Sequence, residues 1–132
     1  MTDLLDRLPY ARFLGLTSEV ADEFLIVTMP FADRLIGNPF PRKLHGGSTA
    51  AMLEFTAVAQ VALSFPGLHL PRPINVTVAY LRPGKPIDVR AGARISRAGR
   101  RVAHVIAEAW QEDRAQPIAS MTAHFLMANT ES

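Results

Sequence analysis

Residues 50–65 read AAMLEFTAVAQVALSF, apolar almost throughout yet carrying one carboxylate, Glu54, near the middle. The stretch is preceded by His45-Gly46-Gly47 and closed by Pro66-Gly67. Its alanines are strong helix formers with little bulk, so the pattern predicts one helix over 46–64, stopped by the Pro-Gly pair. As a helix the apolar run is ~24 Å long, short of the ~30 Å hydrocarbon core of a bilayer. With Glu54 and Gln60 inside it, it reads as a buried core helix and not as a membrane span. A helix that is small on several faces can be closely wrapped by a sheet.

The rest of the chain supplies strands for that sheet. "LTSEVAD" (16–22) and "EFLIVTMPF" (23–31) read as two strands of a hairpin turning at Asp22-Glu23. "ADRLIGNPFPRK" (32–43) reads as a loop, punctuated by Asn-Pro and Pro-Arg. After the helix, period-two alternation puts Ile74, Val76, Val78 and Tyr80 on one face of 74–83. It puts Ile87, Val89, Ala91, Ala93 and Ile95 on one face of 87–99. Strands over 100–113 and 116–128 follow, with turns at Pro83-Gly84, Ala98-Gly99 and Asp113-Arg114. At the N-terminus Leu4, Leu5 and Leu8 have helical spacing. Pro9 suits the first turn of a second short helix, and Gly15 ends it. The order is strand, strand, helix, four antiparallel strands, an α+β architecture. At 132 residues the chain fits one domain over 1–132, with 1–15 as an N-terminal helical segment.

Charge and composition narrow the function. A net charge of +2 is too small to argue for nucleic acid. The basic residues are mostly arginine and gather in 82–101, which suggests a local anion site. The absence of cysteine excludes a disulfide framework, a thiolate nucleophile and a cysteine-ligated metal. "MTDLLDRLPYARFLG" has early acids and no long apolar region, so it does not read as a signal peptide. A cytoplasmic location without membrane or nucleic-acid partners is the expectation.

The start of the long helix carries the chemistry. First-turn N–H groups lack intrahelical partners, and the helix dipole adds positive potential there. Glycine lets another group approach that backbone. Such a start can hold an anion or an oxygen that becomes anionic in a transition state. A phosphate loop is disfavoured, since no Lys-Ser/Thr follows the glycines. Glu54 lies eight residues beyond Gly46, about 12 Å of axial rise. One carbonyl cannot sit within ~3 Å of both. If both act on one substrate they come from two chains, which points to a symmetric dimer with the site between protomers. Each residue also has a plainer reading. Glu54 can be a structural ion-pair partner, and His45 can satisfy loop backbone. Gly46-Gly47 can ease a turn, and Asn38 before Pro39 can be a turn residue.

Taken together, "NPFPRKLHGGSTAAMLE", "INVTVAYLRPG" and "RAGRRVAHVIAEAW" make the sequence resemble the hotdog-fold acyl-CoA thioesterases. The branch is the phenylacetate-pathway one of the 4-hydroxybenzoyl-CoA thioesterase superfamily. The likeness covers roughly residues 10–128. It implies a hotdog fold, in which five to six antiparallel strands wrap one long central helix. It implies protomers joined sheet edge to sheet edge as a homodimer, or a tetramer of two such dimers. The Gly46 N–H is implied to polarise a thioester carbonyl, with Gly47 giving room. Glu54 of the other protomer is implied to be a general base activating water, or a nucleophile. His45 is implied to orient the thioester or water, and Asn38 to hold the attacking water or the substrate. Many relatives in this branch have aspartate where Glu54 stands. Some have a serine or threonine early in the strand after the helix, a role that here is either absent or taken by Asn75 or Thr77. Arg82, Lys85, Arg97, Arg100 and Arg101 are candidates for CoA phosphates, since guanidinium matches phosphate oxygens. The resemblance favours the turn Arg97-Ala98-Gly99-Arg100. Phe40, Phe55 and Phe65 are candidate acyl-pocket walls. No metal or other cofactor is implied, as CoA is part of the substrate.

Two other functions share the fold. One is a non-catalytic domain binding acyl-CoA as sensor or carrier; a binding domain has no need of Glu54. The other is a hydratase or dehydratase, disfavoured by Gly-Gly after His45.

Overall fold

The computed structural model describes Leu5 and residues 8–39, 42–67 and 71–127; the side chains of residues 38, 39 and 42 lie outside that description, as does Phe40. A short helix α1 (Pro9–Leu14) leads into β1 (Thr17–Ala21) and β2 (Phe24–Met29). A 3-10 turn (Asp33–Leu35) and a small hairpin, β3 (Ile36–Pro39) and β4 (Arg42–Leu44), precede the long helix α2 (Gly46–Ser64). The strands β5 (Arg72–Tyr80), β6 (Val89–Ala98), β7 (Val102–Trp110) and β8 (Ala119–Leu126) complete the order.

Six strands form one antiparallel sheet in the order β1-β2-β6-β7-β8-β5, and β3 and β4 pair separately. α2 packs chiefly on β6 and β7 and reaches β2 and β8. This is the hotdog arrangement. Its tightness comes from alanine. Ala57 and Ala59 of the helix are fully buried, and so are Ala91, Ala107, Ala109 and Ala119 of the sheet. In one row Ala91 pairs with Ala109, and Ala109 with Ala119. Small residues on both surfaces let helix and sheet approach closely. Met52 and Leu53, also fully buried, each contribute about 1.5–3 kcal/mol of apolar burial.

Gln60 is the one amide in that buried face. It is 3% exposed. Its Oε1 accepts from Leu25 N–H at 2.9 Å, and its Nε2 donates to Glu23 O at 3.0 Å and to Ser64 Oγ at 3.2 Å. The helix is thereby pinned to the start of β2.

Among the described residues the expected elements fall where the sequence puts them, with three corrections; the helical spacing that begins at Leu4 lies largely outside the described residues. The segment read as a loop, 32–43, contains the 3-10 turn and most of the β3–β4 hairpin. Its ends are tied down: His45 N–H bonds Leu35 O at 2.7 Å and Leu44 N–H bonds Gly84 O at 3.0 Å. In β5 a register shift between Pro73 and Asn75 makes Ile74 an extra residue. Pro73, Val76, Val78 and Tyr80 therefore share the helix-side face, opposite Phe125, Ala123, Met121 and Ala119. Ile87 lies before β6, which begins at Val89. Pro9 does open α1, and Gly15 ends it at φ 75°. Asp22 turns the first hairpin at φ 59°. Among the described residues no helix is long and apolar enough to cross a membrane.

Candidate functional site

The start of α2 is built from three nested contacts. His45 is the N-cap, and its Nδ1 accepts the Gly47 N–H at 2.8 Å. The Ser48 N–H and hydroxyl both bond His45 O, at 3.1 and 2.7 Å. The Tyr80 hydroxyl donates to Gly46 O at 3.0 Å. The Gly46 N–H takes no acceptor among the described residues. One first-turn donor is thus left open, at the positive end of a 19-residue helix.

The neighbours crowd both glycines, position 47 more tightly than 46. A Cβ on Gly47 would lie 2.8 Å from His45 Cε1 and 2.9 Å from Nδ1. A Cβ on Gly46 would lie 3.1 Å from Tyr80 Cε1. Gly37 supports the other side, where a Cβ would come within 2.9 Å of His45 Cα. His45 is therefore wedged between two glycines, with its ring turned to the helix start.

A cleft of about 330 Å³ opens beside Gly46. Its walls include Leu44, Thr49, Tyr80, Leu81 and Ile118, with Lys43 and Arg82 at hand. Arg82 is held in place by a bond from its Nη1 to Pro117 O at 2.7 Å. Apolar walls, two cations and an open helix N–H suit a ligand that joins an acyl-like part to an anion.

The candidate residues do not all gather here. Glu54 lies more than two turns further along α2, half-buried, on the stripe with Ala51 that the sheet leaves uncovered. It makes no ion pair or hydrogen bond among the described residues. Phe55 beside it meets Tyr10 at a ring distance of 6.2 Å, and Tyr10 stacks on Phe13. Phe65 packs against the core. The Asn38 side chain lies outside the described residues. Asn75 is on the sheet face away from α2, where its Oδ1 meets His124 Nδ1 at 2.9 Å, so it does not join Gly46. Thr77, paired with Thr122, shares that outer face. Lys85 is engaged by Glu112 at 2.9 Å.

Arg97, Gly99 and Arg100 form the exposed β6–β7 turn, closed by Gly99 N–H on Val102 O at 2.9 Å. Gly46 is level with Ala119 and hence with Ala91 of β6. From Ala91 to the turn is roughly 23 Å of strand, so within one chain the arginine turn and Gly46 lie at opposite ends. Tyr80, Lys43 and Thr49 are site residues that the sequence did not single out. Tyr80 had a visible signal as the polar-tipped aromatic ending an otherwise aliphatic face.

Residues 38–126 match the family described as acyl-CoA thioesterase N-terminal domain, and the chain belongs to that family. A Chromobacterium violaceum protein of solved structure is 33% identical with a TM-score of 0.79, the match covering 97% of this chain and 89% of that one. A phenylacetic acid degradation-related protein from Ralstonia eutropha JMP134 is 25% identical with a TM-score of 0.80, covering 93% and 96%. A Bacillus halodurans protein solved with CoA shares the fold at 23% identity and a TM-score of 0.79, covering 92% and 79%. No curated protein gave a match.

Proposed function

We propose that the chain hydrolyses acyl-CoA thioesters to a carboxylate and free CoA, in a site shared by two copies of the chain. The observation that carries this reading is a pair of groups on α2 without partners among the described residues: the Gly46 N–H and the Glu54 carboxylate. The N–H polarises the thioester carbonyl and takes the charge that develops on its oxygen. The carboxylate removes a proton from the attacking water as the carbon–oxygen bond forms. The tetrahedral intermediate then collapses, and the CoA thiolate leaves. The His45 bond to Gly47 holds the first turn so that the Gly46 N–H points outward.

The two groups are about 12 Å apart along one helix, so Glu54 acts on the carbonyl held by the other copy's Gly46. The sheet offers a place for that copy. β5 is an edge strand of nine residues, exposed along almost its whole length, with Ile74 54% and Val76 37% exposed. Unpaired edges with apolar side chains are templates for another strand. Antiparallel pairing of β5 with its copy reverses the sheet end for end. It brings the Arg97–Arg100 turn of one protomer to the Gly46 end of the other. That supports a CoA whose phosphates lie on the arginine turn of the opposite chain. The CoA-bound Bacillus halodurans relative fits a ligand of this class.

The test is free-thiol release from acetyl- through palmitoyl-CoA and from phenylacetyl- and benzoyl-CoA, with wild type and Glu54→Gln compared. The reading expects release that depends on Glu54. Binding without release from any of them would instead make the chain an acyl-CoA-binding module.

A further inference from the structure

Two histidines stand side by side on the sheet face away from α2. His104 of β7 and His124 of β8 are directly paired, and their ring centroids are 4.7 Å apart with planes tilted by 44°. Each ring is held from its outer flank. Ser96, the extra residue where β6 shifts register, bonds His104 Nδ1 and also His104 O, the latter at 3.2 Å. On the other flank Asn75, just after the β5 shift, meets His124 Nδ1 at 2.9 Å through Oδ1. Bulges re-aim side chains, and here one on each side brings up an oxygen.

These bonds fit one arrangement of the protons. With the Ser96 hydroxyl proton on His104 O, which only accepts, the His104 Nδ1–H donates to Ser96 Oγ. Asn75 Oδ1 only accepts, so the His124 Nδ1–H donates to it. Both Nε2 atoms then carry lone pairs. Because each Nδ1 faces outward, toward β6 or β5, each Nε2 lies on the side of its ring nearer the other histidine. Metal-bound imidazoles use this same pattern, one nitrogen on the ion and the other N–H on an oxygen that holds the ring.

We infer that His104 and His124 form a two-histidine site for a divalent d-block cation such as Ni²⁺, Cu²⁺ or Zn²⁺. Imidazole suits these ions. Metal–nitrogen bonds of 2.0–2.1 Å bring two ligating nitrogens to about 3 Å from each other, an approach open to rings whose centroids are 4.7 Å apart. Among the described residues no group of three or more His, Asp or Glu side chains could hold a metal, so water completes the coordination. The charged residues facing the pair are cations, Arg94 and Arg97 from β6 and Arg72 from β5. They repel the ion and favour a moderate affinity. The bound ion ties β7 to β8.

The experiment is calorimetric titration of the whole protein with NiCl₂ at pH 7.5, with electron paramagnetic resonance of the Cu²⁺ form. The expected result is one ion per chain with two coordinated imidazole nitrogens. His104→Ala and His124→Ala should each weaken binding at least tenfold and leave one imidazole signal. Asn75→Ala should weaken it about tenfold, and His45→Ala should leave it unchanged. Circular dichroism confirms folding, and His104→Gln replaces any alanine variant that does not fold. Absence of binding, or binding that survives loss of both histidines, overturns the assignment.

Discussion

Replacing Gly46 with proline deletes the proposed oxyanion donor and little else. Position 46 is the first residue of α2, where proline is favoured because the N–H has no helical partner. The residue before a proline must be extended, and His45 already is, at φ −69° and ψ 127°. Of the three carbons that proline adds, the Cβ would meet Tyr80 Cε1 at 3.1 Å, and the Cδ takes the place of the amide hydrogen. Tyr80 is 58% exposed and can yield by a few tenths of an ångström. Weakening its bond to Gly46 O costs about 0.5–1.5 kcal/mol of stability. Losing one donor to a developing oxyanion costs about 2.7–4 kcal/mol of barrier, a 10²–10³-fold fall in kcat. Gly46→Ala is the control, since it brings the same contact with Tyr80 but keeps the N–H. The assay is thiol release at saturating acyl-CoA for wild type, Gly46→Ala and Gly46→Pro. The alanine variant should retain most of the rate and the proline variant should lose it. Equal rates in the two variants would refute the role of the Gly46 N–H.

Gln60→Leu strips partners from Leu25 N–H and Glu23 O. At about 1–3 kcal/mol for the buried Leu25 N–H and about 1 for the part-buried Glu23 O, it should lower stability by about 2–4 kcal/mol in urea unfolding, with the m-value unchanged. Gly47→Ala forces the His45 ring off its cap and should cost about 1 kcal/mol. His45→Ala should cost no less, and adding it to Gly47→Ala should cost little more, read by thermal unfolding. Val76→Lys places an inward charge on the β5 edge, a device that blocks strand pairing. It should give a folded monomer by light scattering in place of the proposed dimer, and abolish thiol release.

The fold was legible because its main elements carry strong local signals. The alanine-rich run with its Pro-Gly stop marked α2 to the residue, and period-two alternation marked β6 to β8. The β3–β4 hairpin was not legible, since its residues look like a loop and its ends are held by Leu35 O and Gly84 O from elsewhere in the chain. The β5 bulge was hidden for a related reason: alternation through Ile74 looks regular until pairing with β8 exposes the extra residue. At the site, His45-Gly46-Gly47 was visible as a helix start. The capping bond explains why glycine stands at 47, and Tyr80 lies close against position 46. Tyr80 itself required the tertiary fold, since its bond to Gly46 O spans β5 and α2. Asn75 could not be placed from sequence, because the bulge before it decides which face it takes.

The central claim is that Gly46 of one chain and Glu54 of another act on the same thioester. Co-refolding Gly46→Pro with Glu54→Gln in equal amounts tests it directly. Each variant alone should release almost no thiol. In the mixture half the dimers are hybrids with one intact site in two, so release should recover to about a quarter of the wild-type rate. No recovery, with hybrids confirmed by mass spectrometry, would contradict a site shared between chains.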